Sequence, residues 1–522
     1  MWLKINPRSK GKNHMSKPSR RPNREEIKRQ RKEARNADKQ LRQRMKEKGL
    51  VAPAGFSVSN RKSQYKTVEE ETQARQEAVT EEAKVLKANL PVLLKRLSKI
   101  PDPRNPKKIK HKLTVLMLYG ILVFVYQMAS RRQANDKMTN PIIIENLKLL
   151  FPELESMPHS DTLQRLLARI DVNAVEKAQI ELVRSLIRKK KFARYLIQGR
   201  YPIAIDGTQK MVRDYLWSEQ CLERKIKVKK GKETKKQYYV YVLEASLAFR
   251  NGMTIPLMSE FLNYSEGDTA SQKQDCELKG FKRLAKRLKA EFKNLPIMVL
   301  LDGLYPNGPM MNICRKNRWD YMMVLQDDKL PSLWEEYDGL LKLLPENSYK
   351  MKWGKKRQHF QWVNEIEYHY DRHKKETVHV VVCQESWQEV DKKTATVIDK
   401  SSRHAWISSI ALDKSNLHER CNLGARHRWN IETEILVEKH YGYNYEHCFS
   451  YDWNSMRGYH YLMRIGHALN VLVHFSEKLF KVVRQKGIQG FIDFVGETIR
   501  ASLLDTQWVE QRLSGPIQLR LI

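Results

Sequence analysis

The sequence predicts an α/β protein preceded by a helical region and a basic tail. Three observations lead there. Two short apolar runs, Tyr201–Asp206 (YPIAID) and Ile297–Asp302 (IMVLLD), each end in an aspartate followed by glycine, and such runs bounded by turn residues read as buried strands. Residues 65–198 carry apolar positions at helical spacing between capping signals,. Finally, 96 Lys and Arg against 60 Asp and Glu leave a formal net charge of +36, far beyond what solubility needs and suited to a polyanion. Nucleic acid is the first candidate partner and an anionic membrane surface the second.

Residues 1–64 form a basic tail and linker, too poor in apolar residues to fold alone, so disorder or a helix formed on DNA is expected,. Met15 opens a run that looks more like a natural start than the residues before it, and the opening residues lack the apolar core of a signal peptide,. The helical domain is placed at 65–198. It begins with a charged helix over Thr67–Ile100. The run Leu113–Ser130 approaches bilayer-spanning length but carries Thr114, Gly120, Gln127 and Ser130, so it reads as a helix buried in this domain, with no membrane partner,. Helices follow at Pro141–Leu150, at Ser160–Ile170 with Ser160 or Asp161 as N-cap, and at Val172–Leu196,. The last ends in Arg188, Lys189, Lys190 and Lys191, which serve either as a solvated helix end complementing the dipole or as phosphate contacts,.

The α/β domain is placed at 199–480. After the strand ending at Asp206, the basic run Glu223–Lys236, with Lys229 and Lys230 at its centre, is read as a phosphate-contacting loop,. Tyr238–Phe249 and Thr254–Leu262 flank Asn251-Gly252 and predict a hairpin with a two-residue type I′ turn,. A helix over Ser271–Lys293, a strand at Ile297–Tyr305, a short helix at Met310–Asn317 and a strand at Tyr321–Gln326 complete the sheet. The stretch 327–412 is too long for a loop and is rich in strand-forming residues, so it predicts an all-β insertion with Trp353, Trp362 and Trp387 in its core,. Residues 481–522 are left as a helical C-terminal tail. The six cysteines include no C-x-x-C pair, which excludes a zinc knuckle and a disulfide framework and fits a reducing cytoplasm,.

The stretch Arg426–His440 (RHRWNIETEILVEKH) carries the third acid. At helical spacing Arg428, Glu432 and Lys439 fall within about 40° of one another, Glu434 points to the far side, and Trp429 and Ile431 pack beneath,. Two strand-borne aspartates and a helical glutamate are the hard oxygen set that binds two Mg²⁺ ions. The histidines His460, His467 and His474 share one face of a helix over Trp453–Phe475, but two turns apart they are too distant for a metal site and read as packing or phosphate-facing residues,.

On these residues the chain resembles the DDE transposases of the IS4-like group, whose signature is Tyr-x2-Arg-x3-Glu-x6-Lys. Arg428, Glu432 and Lys439 meet its spacing, while Ala425 stands where the tyrosine would be. The likeness extends to IPDPRNP at Ile100–Pro106, HSDTLQRLL at His159–Leu167 and SNLHER at Ser415–Arg420. The resemblance implies a ribonuclease H-like catalytic domain with a β-rich insertion and a helical domain that helps to bind transposon ends. It further implies Asp206, Asp302 and Glu432 as catalytic, metal-holding residues for two Mg²⁺ ions, for which Mn²⁺ substitutes, with Arg428 and Lys439 clamping phosphates. The expected function is Mg²⁺-dependent cleavage at transposon ends and transfer of the 3′-OH into target DNA. Double-stranded DNA is the partner, a homodimer forms on it, and the location is cytoplasmic and nucleoid-associated. The alternatives are a ribonuclease H-like nuclease without strand transfer and a catalytically silent, transposase-derived DNA-binding protein.

Overall fold

A computed structural model of the chain describes residues 24–47, 64–227, 234–263, 276–390 and 396–522. Seven helices come first: α1 Arg24–Glu47, α2 Val68–Leu97, α3 Leu113–Val125, α4 Arg131–Met138, α5 Pro141–Leu150, α6 Ser160–Leu167 and α7 Asn173–Arg188. Thr67 caps α2 by accepting the Glu70 amide proton, one of the donors a helix start leaves unpaired,. Helix α3 is buried on every side but Thr114. Its 13 residues span roughly 20 Å, short of a bilayer core,. No helix among the described residues is long and apolar enough to cross a membrane.

Three details of this half differ from the sequence reading. Residues 24–47 form a helix, and the rest of the tail lies outside the described residues. The cap of α6 is His159, whose Nδ1 accepts the Asp161 amide, so neither Ser160 nor Asp161 holds that position. Helix α7 stops at Arg188 and not at Leu196, because Lys190 takes a left-handed conformation (φ 54°) that ends the turn,.

The second half runs β1 Tyr201–Arg213, β2 Leu222–Lys227, β3 Thr234–Ala248, β4 Thr254–Phe261, α8 Glu277–Glu291, β5 Ile297–Leu301, α9 Gly308–Asn317, β6 Asp320–Val324 and α10 Pro331–Leu343. It continues through β7 Ser348–Trp353, β8 Lys356–Asp371, β9 Lys374–Val390, β10 Val397–Ser408, α11 Trp429–His440, α12 Trp453–His474, α13 Glu477–Lys486, α14 Ile488–Ala501 and α15 Thr506–Ser514. The strand order is β2-β3-β1-β5-β6-β10-β9-β8-β7, with β4 also on β3. Strand β3 is long enough to take β2 along its first half and β4 along its second. Strand β1 is antiparallel to β3 and parallel to β5, which is parallel to β6. The result is a mixed α/β protein whose central strands are buried on both faces, hence their near-continuous apolar sequences,.

The β3–β4 connection is not the predicted two-residue turn. Phe249 accepts from the Gly252 amide and donates its own to Met253, and only Gly252 has positive φ (88°), which makes a three-residue loop with glycine at the left-handed position,. The insertion is not all-β, since α10 opens it; its strand β8 runs unbroken from Lys356 to Asp371 through Glu365 at φ 60°. Trp362 is buried in core; Trp353 and Trp387 are only half-buried.

The chain divides into two compact units. The larger holds residues 63–350, 359–383 and 403–522, and the smaller holds 1–62, 351–358 and 384–402. In the larger, α3 packs on α12, where Gly120 is the reason: a Cβ there would stand 2.7 Å from Leu462 and 2.8 Å from Leu163. Gly466 gives the same relief, 2.8 Å from Phe124.

Candidate active site

The parallel pairing of β1 with β5 runs from Tyr201 opposite Ile297 to Ala204 opposite Leu300. The same offset, continued two positions, sets Asp206 opposite Asp302. Neighbouring strands lie roughly 5 Å apart, so the two carboxylates are brought side by side. Asp206 is not at a strand end, as the sequence suggested: β1 continues to Arg213 paired with β3, and Asp206 stands where β5 stops and leaves that edge open. One oxygen of Asp206 accepts the Gly207 amide at 2.9 Å, and one of Asp302 accepts that of Leu304 at 2.9 Å. Both side chains are half-buried.

Helix α11 brings Glu432 to this pair, preceded by a tight turn over Ala425–Arg428. Arg428 lies in that turn, 4% exposed, and its Nη2 donates to Glu432 Oε1 at 2.6 Å. Its Nε and Nη1 meet no acceptor among the described residues. Asp206 reports the convergence of charge: burial, only partly offset by Arg428 and reinforced by Glu432 and Asp302, pushes its carboxyl up to about 7,. No group of three or more His, Cys, Asp or Glu side chains among the described residues stands close enough to hold a metal ion as the chain is arranged. At the triad, Glu432 is engaged by the hydrogen bond from Arg428.

Trp429 does not pack beneath α11 but is 61% exposed, with the Arg428 guanidinium 4.8 Å from its ring centre, whereas Ile431 is fully buried. Lys439 is on the helix but pairs with Glu446 at 2.9 Å. Glu434 turns away from Glu432, as expected, and pairs with His467. His467, His460 and His474 are all buried, which leaves them the packing role and removes the phosphate-facing one.

The other expected DNA contacts divide. Lys189 and Lys190 are exposed; Arg188 is exposed but bonded to Glu181 at 2.6 Å; Lys191 is half-buried and donates to the Leu519 carbonyl at 2.6 Å. The described residues of the basic run Glu223–Lys236 are paired strand and not loop, since β2 reaches Lys227 and β3 begins at Thr234; Lys229 and Lys230 lie outside the described residues.

Sequence reading missed two features. A fourth carboxylate, Glu277 at the start of α8, accepts from the Tyr241 hydroxyl at 2.6 Å and the Tyr305 hydroxyl at 3.2 Å. Burial and the charges of Glu277, Asp206 and Asp302 push both phenols far above the usual range. Its only sequence signal is a lone glutamate inside the helix predicted over Ser271–Lys293. The second is a buried charged network under α11. Arg464 of α12 donates to Glu438 at 2.9 and 3.0 Å and lies 3.3 Å from Glu244, and His467 lies 2.6 Å from Glu438. The Tyr445 hydroxyl donates to Glu244 at 2.7 Å, and Lys210 donates to the Tyr445 carbonyl at 2.9 Å.

Fold and site together define an α/β protein with converging carboxylates at an open strand edge. Residues 94–183 match the family model described as DDE_Tnp_1-associated, a transposase-associated region. No curated protein matches the chain.

Proposed function

We propose that this protein is an IS4-like DDE transposase that cleaves DNA at transposon ends and joins the freed 3′-OH to target DNA, using Asp206, Asp302 and Glu432. The observation that carries the reading is the β1–β5 register, which pairs the two aspartates at an open edge with Glu432 brought over them. The order β4-β3-β1-β5-β6, three antiparallel strands followed by two parallel ones, supports a ribonuclease H-like catalytic domain. The match over 94–183 supports the helical region as its transposase-associated partner.

Three carboxylates are hard oxygen donors, and the burial and neighbouring carboxylates that raise Asp206 are what a divalent cation would offset, so this donor set fits Mg²⁺, or Mn²⁺ in its place,. Asp206 and Asp302 would hold it as they stand, and Glu432 on exchanging its Arg428 partner. Bound there, two such ions supply Lewis acidity to the attacking and leaving oxygens of an in-line displacement. Arg428 would take a phosphate on releasing Glu432 and turning outward, its planar fork suiting two phosphate oxygens; its Nε and Nη1, buried as the chain stands, meet no acceptor among the described residues,. Lys439 would exchange Glu446 for a backbone phosphate. Lys189 and Lys190, with Lys229 and Lys230 of the basic run, would add sequence-independent contacts whose strength falls with salt,. A homodimer on double-stranded DNA in the nucleoid completes the reading.

The test is a cleavage and joining assay with full-length protein, Mg²⁺ and the genomic DNA on either side of this reading frame, in which a terminal inverted repeat is expected. A nick leaving a 3′-OH at the repeat, and a joined product, are expected, both lost in Asp302→Ala. Cleavage without joining would favour the nuclease alternative, and binding without either would favour the silent one.

A further inference from the structure

Glu277 is tethered more tightly than a surface carboxylate at a helix start requires. Its two oxygens accept from two tyrosines on different strands' surroundings: Tyr241 on β3 at 2.6 Å, and Tyr305 in the loop after β5 at 3.2 Å. Tyr305 is fully buried, and its amide donates to the carbonyl of Asp302 at 3.3 Å. The carboxylate is therefore linked through one hydroxyl to the loop that carries the second aspartate.

The link to the first aspartate is steric. Successive residues of a strand face opposite sides, so Gly207 turns to the face away from Asp206. A Cβ at Gly207 would stand 2.6 Å from Glu277 Cδ and Oε1 and 2.7 Å from the Tyr241 ring. The backbone that carries Asp206 is thus pressed against Glu277, and only glycine permits the approach.

We propose that Glu277 is a fourth carboxylate of the acidic site, a positioning residue that reaches the aspartate pair from the opposite face of the sheet to Glu432 and sets the spacing and cation affinity of Asp206 and Asp302. Each of its oxygens keeps a lone pair after accepting from a tyrosine, enough to accept from water held by a cation. Acids that support a metal site from outside its ligand set typically change metal affinity 10- to 100-fold. The inference rests on the proposed reading that Asp206 and Asp302 bind a divalent cation.

The experiment is calorimetric titration of Mn²⁺ into the full chain without DNA, with thermal melting recorded on each variant. Glu277→Gln, which keeps shape and removes charge, should weaken Mn²⁺ binding at least about 10-fold with a melting temperature near wild type. Gly207→Ala, which displaces Glu277, should weaken binding comparably, and the double variant should be no worse than the stronger single one, because both act through one contact. Asp302→Asn separates the two levels of the argument. If Asp302→Asn loses Mn²⁺ while Glu277→Gln binds as wild type, Glu277 is structural and the inference is overturned with the metal reading intact. If Asp302→Asn also binds as wild type, the metal reading itself fails. Should Glu277→Gln not fold, Tyr305→Phe removes one tether and keeps the charge; a wild-type Mn²⁺ affinity there would equally overturn the proposal.

Discussion

The two faces of α11 treat charge in opposite ways. Toward the sheet edge, Glu432 joins Asp206 and Asp302 with Arg428 as its bonded cation. Toward α12, Glu438 and Glu434 meet Arg464 and His467, and Glu244 across the same layer meets Arg464 and His460. The second face is more deeply buried yet nearly neutral in sum once Lys210 beside Glu244 and Glu438 is counted, burial keeping His460 uncharged, because an unpaired charge in that setting costs several kcal/mol,. The first keeps an excess of carboxylate, three acids against the one bonded cation Arg428. A helix needs compensation where it must be held; a site that recruits a cation must be left short of it.

That contrast predicts which substitutions harm activity and which harm the fold. Asp302→Ala or Asp206→Ala should abolish Mg²⁺-dependent cleavage, by at least about 1,000-fold or roughly 4 kcal/mol in the barrier. Their melting temperatures should equal or exceed wild type, since each removes a like charge. A melting temperature that fell as far as that of an Arg464 variant would erase the distinction between the faces.

Arg464→Ala leaves Glu438 and Glu244 buried without their shared cation and should destabilise by about 3–5 kcal/mol in urea unfolding. A loss below about 1 kcal/mol would mean that the network is not what holds α11.

The compensated face should also titrate. Burial pulls the His467 imidazole down, but Glu434 and Glu438 more than reverse this and push it up to about 9. A folded pKa above the unfolded value near 6.5 gives stability that is complete below about pH 6.5 and is lost as pH rises through about 9,. The fall should be on the order of a few kcal/mol, and His467→Gln should flatten it. A wild-type stability curve that is level from pH 6 to 9.5 would contradict the charge state assigned to His467.

Glu434→Ala sharpens the comparison further. On sequence alone it is a mild control, since the residue faces away from Glu432. Its pairing with His467 raises the expected cost to about 1–3 kcal/mol of stability, with cleavage per folded molecule little changed,. Lys439→Ala gives the smallest effect on folding, at most about 1 kcal/mol because Glu446 is half-exposed, yet should slow cleavage or strand transfer about 10-fold if Lys439 holds a phosphate,.

The main lines of this architecture were legible because they rest on local patterns. Apolar runs located β1, β4, β5 and β6, and helical periodicity located α2, α3, α5 and α8. The spacing of Arg428, Glu432 and Lys439 placed them on and beside one helix. What escaped depends on distant partners. That Asp206 lies within a strand follows from β5 being shorter than β1, and that Lys439 meets Glu446 follows from the loop after α11 folding back. Glu277 is invisible as a site residue until two tyrosines from elsewhere meet it. The strand carrying Lys210 and the helix carrying Arg464 show their buried charges only once β1, β3 and α12 are brought together.

The glycine seam between α3 and α12 bears on how such a chain can be inherited. Residues 94–183, the stretch that matches the transposase-associated family, include Gly120, while Leu462 and Gly466 lie in the same helix as Arg464. At Gly120 and Gly466 even one methyl group would meet atoms of the facing helix at 2.7–2.8 Å. A recombination event near residue 198 that joined this front half to a relative's back half would bring together seams shaped for other partners. Viable chimeras should therefore be those that exchange α3 and α12 together, so that selection acts on the two helices as one hereditary block despite the more than 300 positions between them,.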